Sequence, residues 1–397
     1  MKPRILIAMH YMEIGGAESA LIGLLHSLDY DRVDVDLFLH AHRGEMMQFI
    51  PERVNLLPEM GAYSVIEAPL SEAIKRGHRA VAWGRIKARM AHRREVNNSG
   101  LPDASIFQYV ADRVAPRLPN INPSTTYNLA ISFLAPHNYV LDKVDARVKI
   151  GWIHTDYSKI HVNTRQELKQ WSRLDYIASI SDDVTKTFTK VFPSLADKII
   201  LIENILPRTI VLNRADEFEA STEMTGKINL LSIGRFTYPK NFDNIPDIAR
   251  RMVQDHGLDF KWYIIGYGGD EAIIRTKIAE AGMEDRVIIL GKRANPYPYI
   301  RACDIYVQPS RYEGKSVTVR EAQMLCKPVV ITDYPTARSQ VNDGLDGVIT
   351  PMDNTSIART IASIARDQAR QNDIIGYIRA HDYSNASEVD KIYNLLQ

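Results

Sequence analysis

Residues 304–328, DIYVQPSRYEGKSVTVREAQMLCKP, are the stretch of the chain that decides its fold. Apolar residues 305–307 predict a short buried strand, residues 308–314 favour a loop, and the Ser316 side chain is predicted to cap a helix from Val317 to Leu325. The first backbone N–H groups of such a helix are unpaired and carry partial positive charge. A strand, a loop and a helix start in this order are typical of a phosphate-binding site.

Two glutamates flank the predicted helix start. Glu313 lies in the loop, and Glu321 lies in the second turn of the helix. A carboxylate repels a phosphate, but it accepts hydrogen bonds from hydroxyl groups. The pattern therefore favours a ligand with a diphosphate in its middle and polyol rings at both ends, which describes a nucleotide sugar.

The Glu-x7-Glu spacing after a strand and loop resembles the motif of retaining glycosyltransferases with the GT-B fold, in particular the large bacterial family four, or group 1. Further stretches resemble this family in the expected order: Gly15 and Gly16 in GGAE, His154 after a strand, and Arg235 with Lys240 after another strand. The family usually has a glycine after this lysine, whereas this chain has asparagine. The resemblance implies an α/β architecture with two doubly wound, Rossmann-like domains that face an interdomain cleft.

The order of the predicted elements divides the chain in the same way. Strands and helices alternate from residue 4, a polar and poorly patterned stretch covers residues 208–226, and the alternation restarts at Ile228. We expect an N-terminal, acceptor-side domain of residues 1–204 and a C-terminal, nucleotide-sugar-binding domain of residues 205–383. A terminal helix in residues 384–397 is expected to return to the first domain.

The resemblance also implies roles for individual residues. Glu313 and His154 would contact the transferred sugar, and Glu321 would hold the ribose hydroxyls. Two cations at the end of a strand, Arg235 and Lys240, could neutralise the leaving diphosphate. The predicted catalytic residues are Glu313, His154, Arg235 and Lys240. The predicted donor-binding residues are Gly15, Gly16, Gly266, Arg293, Ala294, Lys315, Ser316, Val317 and Glu321, of which Gly266 is interpreted equally well as part of a plain turn.

The activity implied is retaining transfer of a sugar from a nucleotide donor, expected to be UDP-linked, to a glycan or lipid-linked glycan in bacterial surface polysaccharide or lipopolysaccharide synthesis. No cofactor and no metal are expected. Asp34 and Asp36 form a D-x-D, but both fall on one face of a predicted strand, which we interpret as solvated. The alternatives from other classes are a nucleotide-sugar epimerase, a non-catalytic sugar-nucleotide-binding protein and a lipid-surface scaffold.

The composition excludes several classes of protein. The chain has 397 residues, a net charge of +1, 45% apolar residues and two cysteines. No overall charge favours nucleic acid, and two cysteines exclude a disulfide framework. The N-terminus has only five apolar residues in a row, too few for a signal peptide. We therefore expect a cytoplasmic location and no nucleic-acid partner.

Residues 75–94 carry eight Lys or Arg, two His and no acid, and Trp83, Ile86 and Met90 recur at helical spacing. This predicts a basic amphipathic helix. Three interpretations stay open: a helix packed on the domain through Trp83, a surface that holds the protein on the inner face of the cell membrane, and a pocket for a phosphorylated acceptor.

Overall fold

The computed structural model describes residues 2–95, 99–313 and 316–396. The chain divides into two compact units. Unit 1 comprises the residues up to Leu206 and those from Asn385 onward, and unit 2 comprises Pro207–Ser384. The limits predicted at residues 204 and 383 lie close to these boundaries.

The strands of unit 1 are short and largely buried. They are β1 Arg4–Met9, β2 Asp34–Leu39, β3 Asn55–Leu56, β4 Tyr127–Ser132, β5 Ala146–Ile153, β6 Tyr176–Ser179 and β7 Ile199–Leu201. Across the described residues they form one parallel sheet in the order β3-β2-β1-β4-β5-β6-β7. The order reverses between β1 and β4, so the sheet is doubly wound and its ligand crevice is expected at the carboxyl ends of these strands.

Helices cover both faces of this sheet. They are α1 Gly16–Ser27, α2 Gly61–Ser64, α3 Leu70–Lys75, α4 Arg79–His92, α5 Ser105–Val114, α6 Asn138–Lys143, α7 Thr164–Trp171 and α8 Asp182–Val191. Alternate residues of a strand point to opposite faces. Ile5 and Ile7 therefore join the apolar cluster that includes α1, while Leu6 and Ala8 join the cluster that includes α4 and α5.

The basic helix predicted across residues 75–94 is interrupted, and its buried face is not the predicted one. Gly77 has a φ of +85° and lies between α3 and α4. Trp83 is 53% exposed and Met90 is 60% exposed, so the interpretation that Trp83 packs this helix on the domain is wrong. The reason is a close approach to α5: a Cβ on Gly84 would lie 3.0 Å from the Arg113 carbonyl oxygen. Gly84 occupies the contact, and Trp83 and Met90 turn outward.

Unit 2 repeats the architecture. Its strands are β8 Asn229–Ile233, β9 Lys261–Ile265, β10 Val287–Gly291, β11 Ile305–Gln308, β12 Val329–Thr332 and β13 Val348–Thr350. In the part of the chain that the structure describes, they form one parallel sheet in the order β10-β9-β8-β11-β12-β13. Its helices are α9 Arg208–Ala215, α10 Ile245–Gln254, α11 Glu271–Ala281, α12 Tyr297–Ala302, α13 Val317–Met324, α14 Asn354–Arg366 and α15 Gln368–Ala380. The order reverses between β8 and β11, so the loops after these two strands are where a ligand is expected.

The stretch at residues 208–226, interpreted as a polar linker, is folded instead. It contains α9, which packs on α12 and buries Val211 and Ala215. The amphipathic pattern is weak because Arg214, a buried position of α9, carries a charge. Its side chain lies over the ring of Tyr297, which supplies part of the compensation that a buried cation needs.

The last described residues belong to unit 1. They form α16, Val389–Tyr393, which buries Ile392 completely. The Tyr393 hydroxyl accepts a hydrogen bond from the Asp29 amide at 2.6 Å, and the Lys391 ammonium donates to the Leu201 carbonyl at 2.9 Å. The terminal helix thus packs on the same core as β1 and α1.

Candidate functional site

The loops after β8 and β11 meet at the carboxyl edge of the sheet of unit 2. The two strands are paired in parallel, with Ile305 opposite Leu230. Lys240 Nζ lies 2.6 Å from Glu313 Oε1, so the predicted cation of one loop pairs with the predicted carboxylate of the other. The Arg311 amide also donates to the Pro239 carbonyl at 2.8 Å, which joins the two loops through their backbone.

Glu313 is held by residues of its own strand and loop. Besides Lys240, its Oε1 atom accepts hydrogen bonds from Ser310 Oγ at 2.6 Å and Gln308 Nε2 at 3.2 Å. Gln308 and Ser310 are fully buried, and the Tyr306 hydroxyl donates to Gln308 Oε1 at 2.7 Å. The carboxylate is therefore fixed in one orientation by a connected polar network. Gln308 and Ser310 were not predicted as site residues, although polar residues at the end of a buried apolar strand indicate such a role.

Arg235 lies in the loop after β8, and its side chain is exposed. Its guanidinium makes no hydrogen bond or ion pair with any other described residue. The group can therefore turn toward a ligand without breaking a contact of the folded chain.

The predicted binding residue Gly266 supports this loop through a close backbone approach. A Cβ on Gly266 would lie 1.9 Å from the Gly234 carbonyl oxygen, and one on Gly268 would lie 2.4 Å from that of Phe236. Both glycines also have φ near +150°, which L side chains rarely adopt. The Phe236 amide donates to the Tyr267 carbonyl at 2.8 Å. Gly266 thus determines where the backbone beside Arg235 runs.

Asn241, which replaces the usual glycine of the family, keeps the backbone conformation that favours glycine. Its φ is +62°, and asparagine tolerates this region better than most residues. Its buried amide donates to the Pro309 carbonyl at 2.8 Å, which adds another connection between the two loops. The substitution therefore preserves the conformation after Lys240.

Substitutions of Asn241 should separate the contribution of its backbone conformation to stability from that of its side-chain hydrogen bonds. Asn241→Gly keeps the conformation but loses the hydrogen bond to Pro309 and the one accepted from Asn244, so we expect a loss of about 1–2 kcal/mol in unfolding free energy. Asn241→Ala should lose about 2–3 kcal/mol, because alanine also has the cost of the left-handed region. Urea unfolding of the three proteins measures the difference. Equal stability of the Gly and Ala variants would contradict the conformational part of this explanation.

The start of α13 lies directly after this network. Ser316 occupies the N-cap position and is buried, but its hydroxyl lies 3.0 Å from Thr318 Oγ1 and caps no backbone N–H of the described residues. The predicted side-chain cap is therefore wrong, because the hydroxyl has a closer side-chain partner. Val317, the first residue of α13, is 40% exposed. Lys315, predicted to contact phosphate or sugar, lies outside the described residues.

Glu321 is buried in the second turn of α13 and accepts a hydrogen bond from the Tyr297 hydroxyl at 2.9 Å. Burial raises the pKa of Glu321 to about 7, although the Tyr297 hydrogen bond and the charge of Arg214 oppose this. The carboxyl group is therefore close to half protonated at neutral pH. Tyr297 and Arg214 were not predicted as neighbours of Glu321.

The raised pKa gives a testable pH dependence of stability. The carboxyl group has its ordinary pKa of 4.5 in the unfolded chain and a pKa of about 7 in the folded one, so folding favours the protonated form. Its contribution is present below pH 4.5 and is lost as the pH rises through 7, by about 3 kcal/mol. We expect this loss between pH 5 and pH 8 in wild type relative to Glu321→Gln, measured by urea unfolding at each pH. Parallel curves for the two proteins would contradict the shift.

The side chains of the loop after β10 are already engaged within unit 2. Arg293 donates to Glu223 Oε2 at 3.0 Å and lies over the ring of Tyr299. The Ala294 carbonyl accepts a hydrogen bond from Arg214 at 2.7 Å. Contact between these residues and a base would therefore have to use the remaining backbone groups of the loop.

The predicted residues of unit 1 also follow strands at one sheet edge. Gly15 and Gly16 stand at the start of α1, after β1, and a Cβ on Gly16 would meet no atom within 4 Å. His154 directly follows β5 and lines a cavity of about 240 Å³. In the described part of unit 1, His154 Nε2 and Trp152 Nε1 are buried without a hydrogen-bond partner. Burial lowers the pKa of His154 to about 3, so this imidazole is neutral and can bind a hydroxyl group without adding charge.

The D-x-D of β2 has a partly structural role, so the interpretation of a purely solvated face is wrong. Asp36 accepts hydrogen bonds from the Tyr127 hydroxyl at 2.6 Å and the Asn55 amide at 2.7 Å, because β4 and β3 bring these groups beside it. Over residues 2–95, 99–313 and 316–396, no three His, Cys, Asp or Glu side chains are grouped so that they could hold a metal ion. None of the helices in these ranges has the length and apolar character needed to span a membrane.

Comparison with known proteins finds a family model that matches most of unit 2. Residues 213–381 match the family model of glycosyl transferases group 1. The chain is 28% identical over 163 residues to the amylovoran biosynthesis glycosyltransferase AmsD of Erwinia amylovora, covering 41% of this chain and 44% of that protein. It is 30% identical over 126 residues to an N-acetylgalactosaminyltransferase of Campylobacter jejuni that acts on a diphospho-undecaprenol-linked sugar. This match covers 32% of this chain and 33% of that protein. The matches thus span less than half the length of these relatives.

Solved structures extend the likeness to both units. A structure of Anabaena HepE in complex with UDP and glucose has a TM-score of 0.66 at 16% identity and covers 99% of this chain and 98% of that one. A mutant of Staphylococcus aureus TarM in complex with UDP has a TM-score of 0.68 at 13% identity and covers 100% of both chains. At these identities the likeness shows the fold. Residues 213–381, which make up most of unit 2, thus match the glycosyl transferases group 1 family, and the chain has the GT-B fold.

Proposed function

We propose that this protein is a retaining glycosyltransferase that moves a sugar from a UDP-linked donor to a hydroxyl of a glycan or lipid-linked glycan in bacterial surface polysaccharide or lipopolysaccharide synthesis. The observation that carries the proposal is the 2.6 Å pair of Lys240 and Glu313 beside the start of α13, with Glu321 in its second turn. These residues lie within the matched range 213–381. The UDP in the HepE and TarM structures supports this choice of base, and AmsD supports the pathway class.

The residues of unit 2 would act on the leaving group. As the glycosidic bond breaks, negative charge develops on the diphosphate, where Arg235, Lys240 and the amides near Val317 can stabilise it. Because these cations supply the charge, we propose that transfer needs no divalent metal. Activity that persists undiminished in excess EDTA is the expected result.

The carboxylates would hold the rings on either side of the diphosphate. Glu321 would accept hydrogen bonds from the ribose hydroxyls, and Glu313 would do so from the transferred sugar. His154, held neutral by burial, would contact the same sugar. Retention follows if the acceptor oxygen bonds to the anomeric carbon on the face from which the diphosphate leaves, with the acceptor proton passing to the diphosphate.

A thermal-shift panel of nucleoside diphosphates and their sugars tests the donor first. A ligand at 100 times its dissociation constant adds about 2.7 kcal/mol of stability, so UDP should raise the melting temperature while ADP and GDP should not. The preferred UDP-sugar is then followed by NMR with candidate acceptors, where a retained anomeric configuration is expected. A changed free sugar without an acceptor would indicate an epimerase, and binding without any consumption would indicate a sensor. Either result would overturn the proposal.

We propose in addition that the exposed face of α4 holds the protein on the inner face of the membrane. Trp83 and Met90 are exposed, and the Lys87 ammonium lies 5.3 Å above the Trp83 ring. Inserting such side chains contributes about 1.5–3 kcal/mol each, so Trp83→Ala should weaken binding to vesicles of anionic lipid about tenfold or more. Ile273→Ala, which removes an exposed apolar side chain of unit 2, is the matched control. Equal losses in both variants, in co-sedimentation assays, would contradict the assignment.

A further inference from the structure

A second cavity of unit 1, about 320 Å³ in volume, lies against α4 and α5. Its polar lining comes from His10, Glu67, Arg85 and Arg89 among others, and Arg85 is buried although it is charged. Cavities of this size bind small molecules or the ends of larger ones. The neighbouring cavity beside His154 shares Phe107 and Pro136 with it, so the two are adjacent.

The charges around this cavity leave an excess of cations. The carboxylate of Glu67 is paired with His10 at 3.1 Å and lies 4.0 Å from Arg43. Burial raises the pKa of Glu67, but the hydrogen bond and charge of His10 and the charge of Arg43 outweigh it and the pKa is lowered overall, so this group is ionised. Within the described residues, the guanidinium of Arg85 donates hydrogen bonds only to the carbonyl oxygens of Val65 and Ala68.

Arg89 lies one turn further along α4 and lines the same cavity. Over the described residues, its side chain makes no hydrogen bond and no carboxylate lies within 4.0 Å of Arg85 or Arg89. Burial, and then the like charge of Arg89, lower the pKa of Arg85. Two guanidinium groups that line one cavity, with no carboxylate of the described residues within 4.0 Å, form a site that a phosphate would stabilise by charge-assisted bonds.

Another part of the lining of the cavity is apolar. Ile66, Ile106, Val110 and Pro136 line it, and Phe107 stands 58% exposed at α5. A bare phosphate would leave these groups in contact with water. A phosphate ester with an apolar group attached could place its phosphate at the arginines and its apolar group against these side chains.

We propose that this cavity binds an acceptor that carries a phosphate or diphosphate ester next to an apolar group, with the phosphate at Arg85 and Arg89. The identification of the ligand as the acceptor rests on the proposed function. The same chemistry is offered by a lipid-linked sugar diphosphate and by a small soluble phosphate ester.

Isothermal titration of the full chain with hexyl phosphate, inorganic phosphate and hexyl β-glucoside tests the chemistry of the site. We expect saturable binding of hexyl phosphate at least tenfold tighter than that of the other two probes. Arg89→Ala should weaken it about tenfold or more through loss of a charge-assisted bond. Arg79→Ala, which removes an exposed arginine from the start of the same helix, should change it less than twofold.

Each other outcome overturns a part of the proposal. If inorganic phosphate binds as tightly as hexyl phosphate, the site has no apolar requirement. If hexyl β-glucoside binds as tightly as hexyl phosphate, the cations have no role in binding. If Arg79→Ala and Arg89→Ala weaken the binding of hexyl phosphate equally, the effect is one of non-specific charge. UDP binding, measured in the same proteins, should be unchanged by Arg89→Ala. If wild type fails to bind UDP but binds hexyl phosphate, the proposed function fails while the site stands. Transfer assays with lipid-linked and short soluble phosphorylated acceptors then distinguish the two sources.

Discussion

Lys240→Met is expected to lower the sugar-transfer rate about 10²–10³-fold, the usual cost of removing one donor from a developing negative charge. The substitution keeps the length and apolar stem of the side chain but removes its ammonium group. Among the described residues, it also leaves Glu313, which is 12% exposed, with only the neutral donors Ser310 and Gln308. We therefore expect a loss of about 1–3 kcal/mol in unfolding free energy in the same variant. Single-turnover kinetics with saturating donor, below the melting temperature, measure the chemical effect.

Lys227→Met is the control for this experiment. Lys227 is exposed and precedes β8, whereas Lys240 lies in the loop that follows β8. The two lysines are therefore at opposite ends of this strand. The control should retain full activity and stability. A double-mutant cycle with Glu313→Gln should give a coupling energy of about 1–3 kcal/mol in stability. Additive effects would show that the ion pair of the structure contributes nothing to the folded state.

Arg235→Ala is expected to reduce transfer about 10–150-fold, which corresponds to the loss of one charge-assisted bond of about 1.5–3 kcal/mol. Because the guanidinium makes no bond with other described residues, the unfolding free energy should stay within about 0.5 kcal/mol of wild type. A separation of this kind, with activity lost and stability kept, distinguishes Arg235 from Lys240. Steady-state kinetics and urea unfolding on the same preparation provide both values.

Arg235→Lys completes this comparison. Lysine keeps the charge but loses the planar fork that matches a phosphate, so an intermediate rate is expected. Unchanged turnover in Arg235→Ala would contradict the role of this residue at the diphosphate.

The fold was predictable because its signal is local. Both sheets consist of apolar strands such as Arg4–Met9 and Ile305–Gln308, and the alternation with helices indicates a doubly wound sheet. The predicted GT-B architecture is confirmed by the two parallel sheets and by the likeness to solved structures. The closeness of Lys240 and Glu313 follows from the same rule, since both come after neighbouring parallel strands.

The features that could not be predicted from the sequence depend on contacts between distant parts of the chain. Arg214 reaches the surroundings of Glu321 from a helix whose polar sequence resembled a linker. The exposure of Trp83 depends on how closely α4 approaches α5, which helical spacing does not reveal. Periodicity indicates that a helix has an apolar stripe, but small residues can make the contact and leave that stripe outside.

The pairing of Lys240 with Glu313 has a consequence for discrimination among anions. In the structure the charges of Lys240 and Glu313 neutralise each other. An orthophosphate ion that binds the ammonium group would leave the carboxylate without its counter-ion. The net free energy of binding orthophosphate would therefore be small. A molecule that presents a diphosphate and sugar hydroxyls together compensates both groups at once. The ion pair would thus bind simple phosphates weakly and favour ligands that carry both kinds of group.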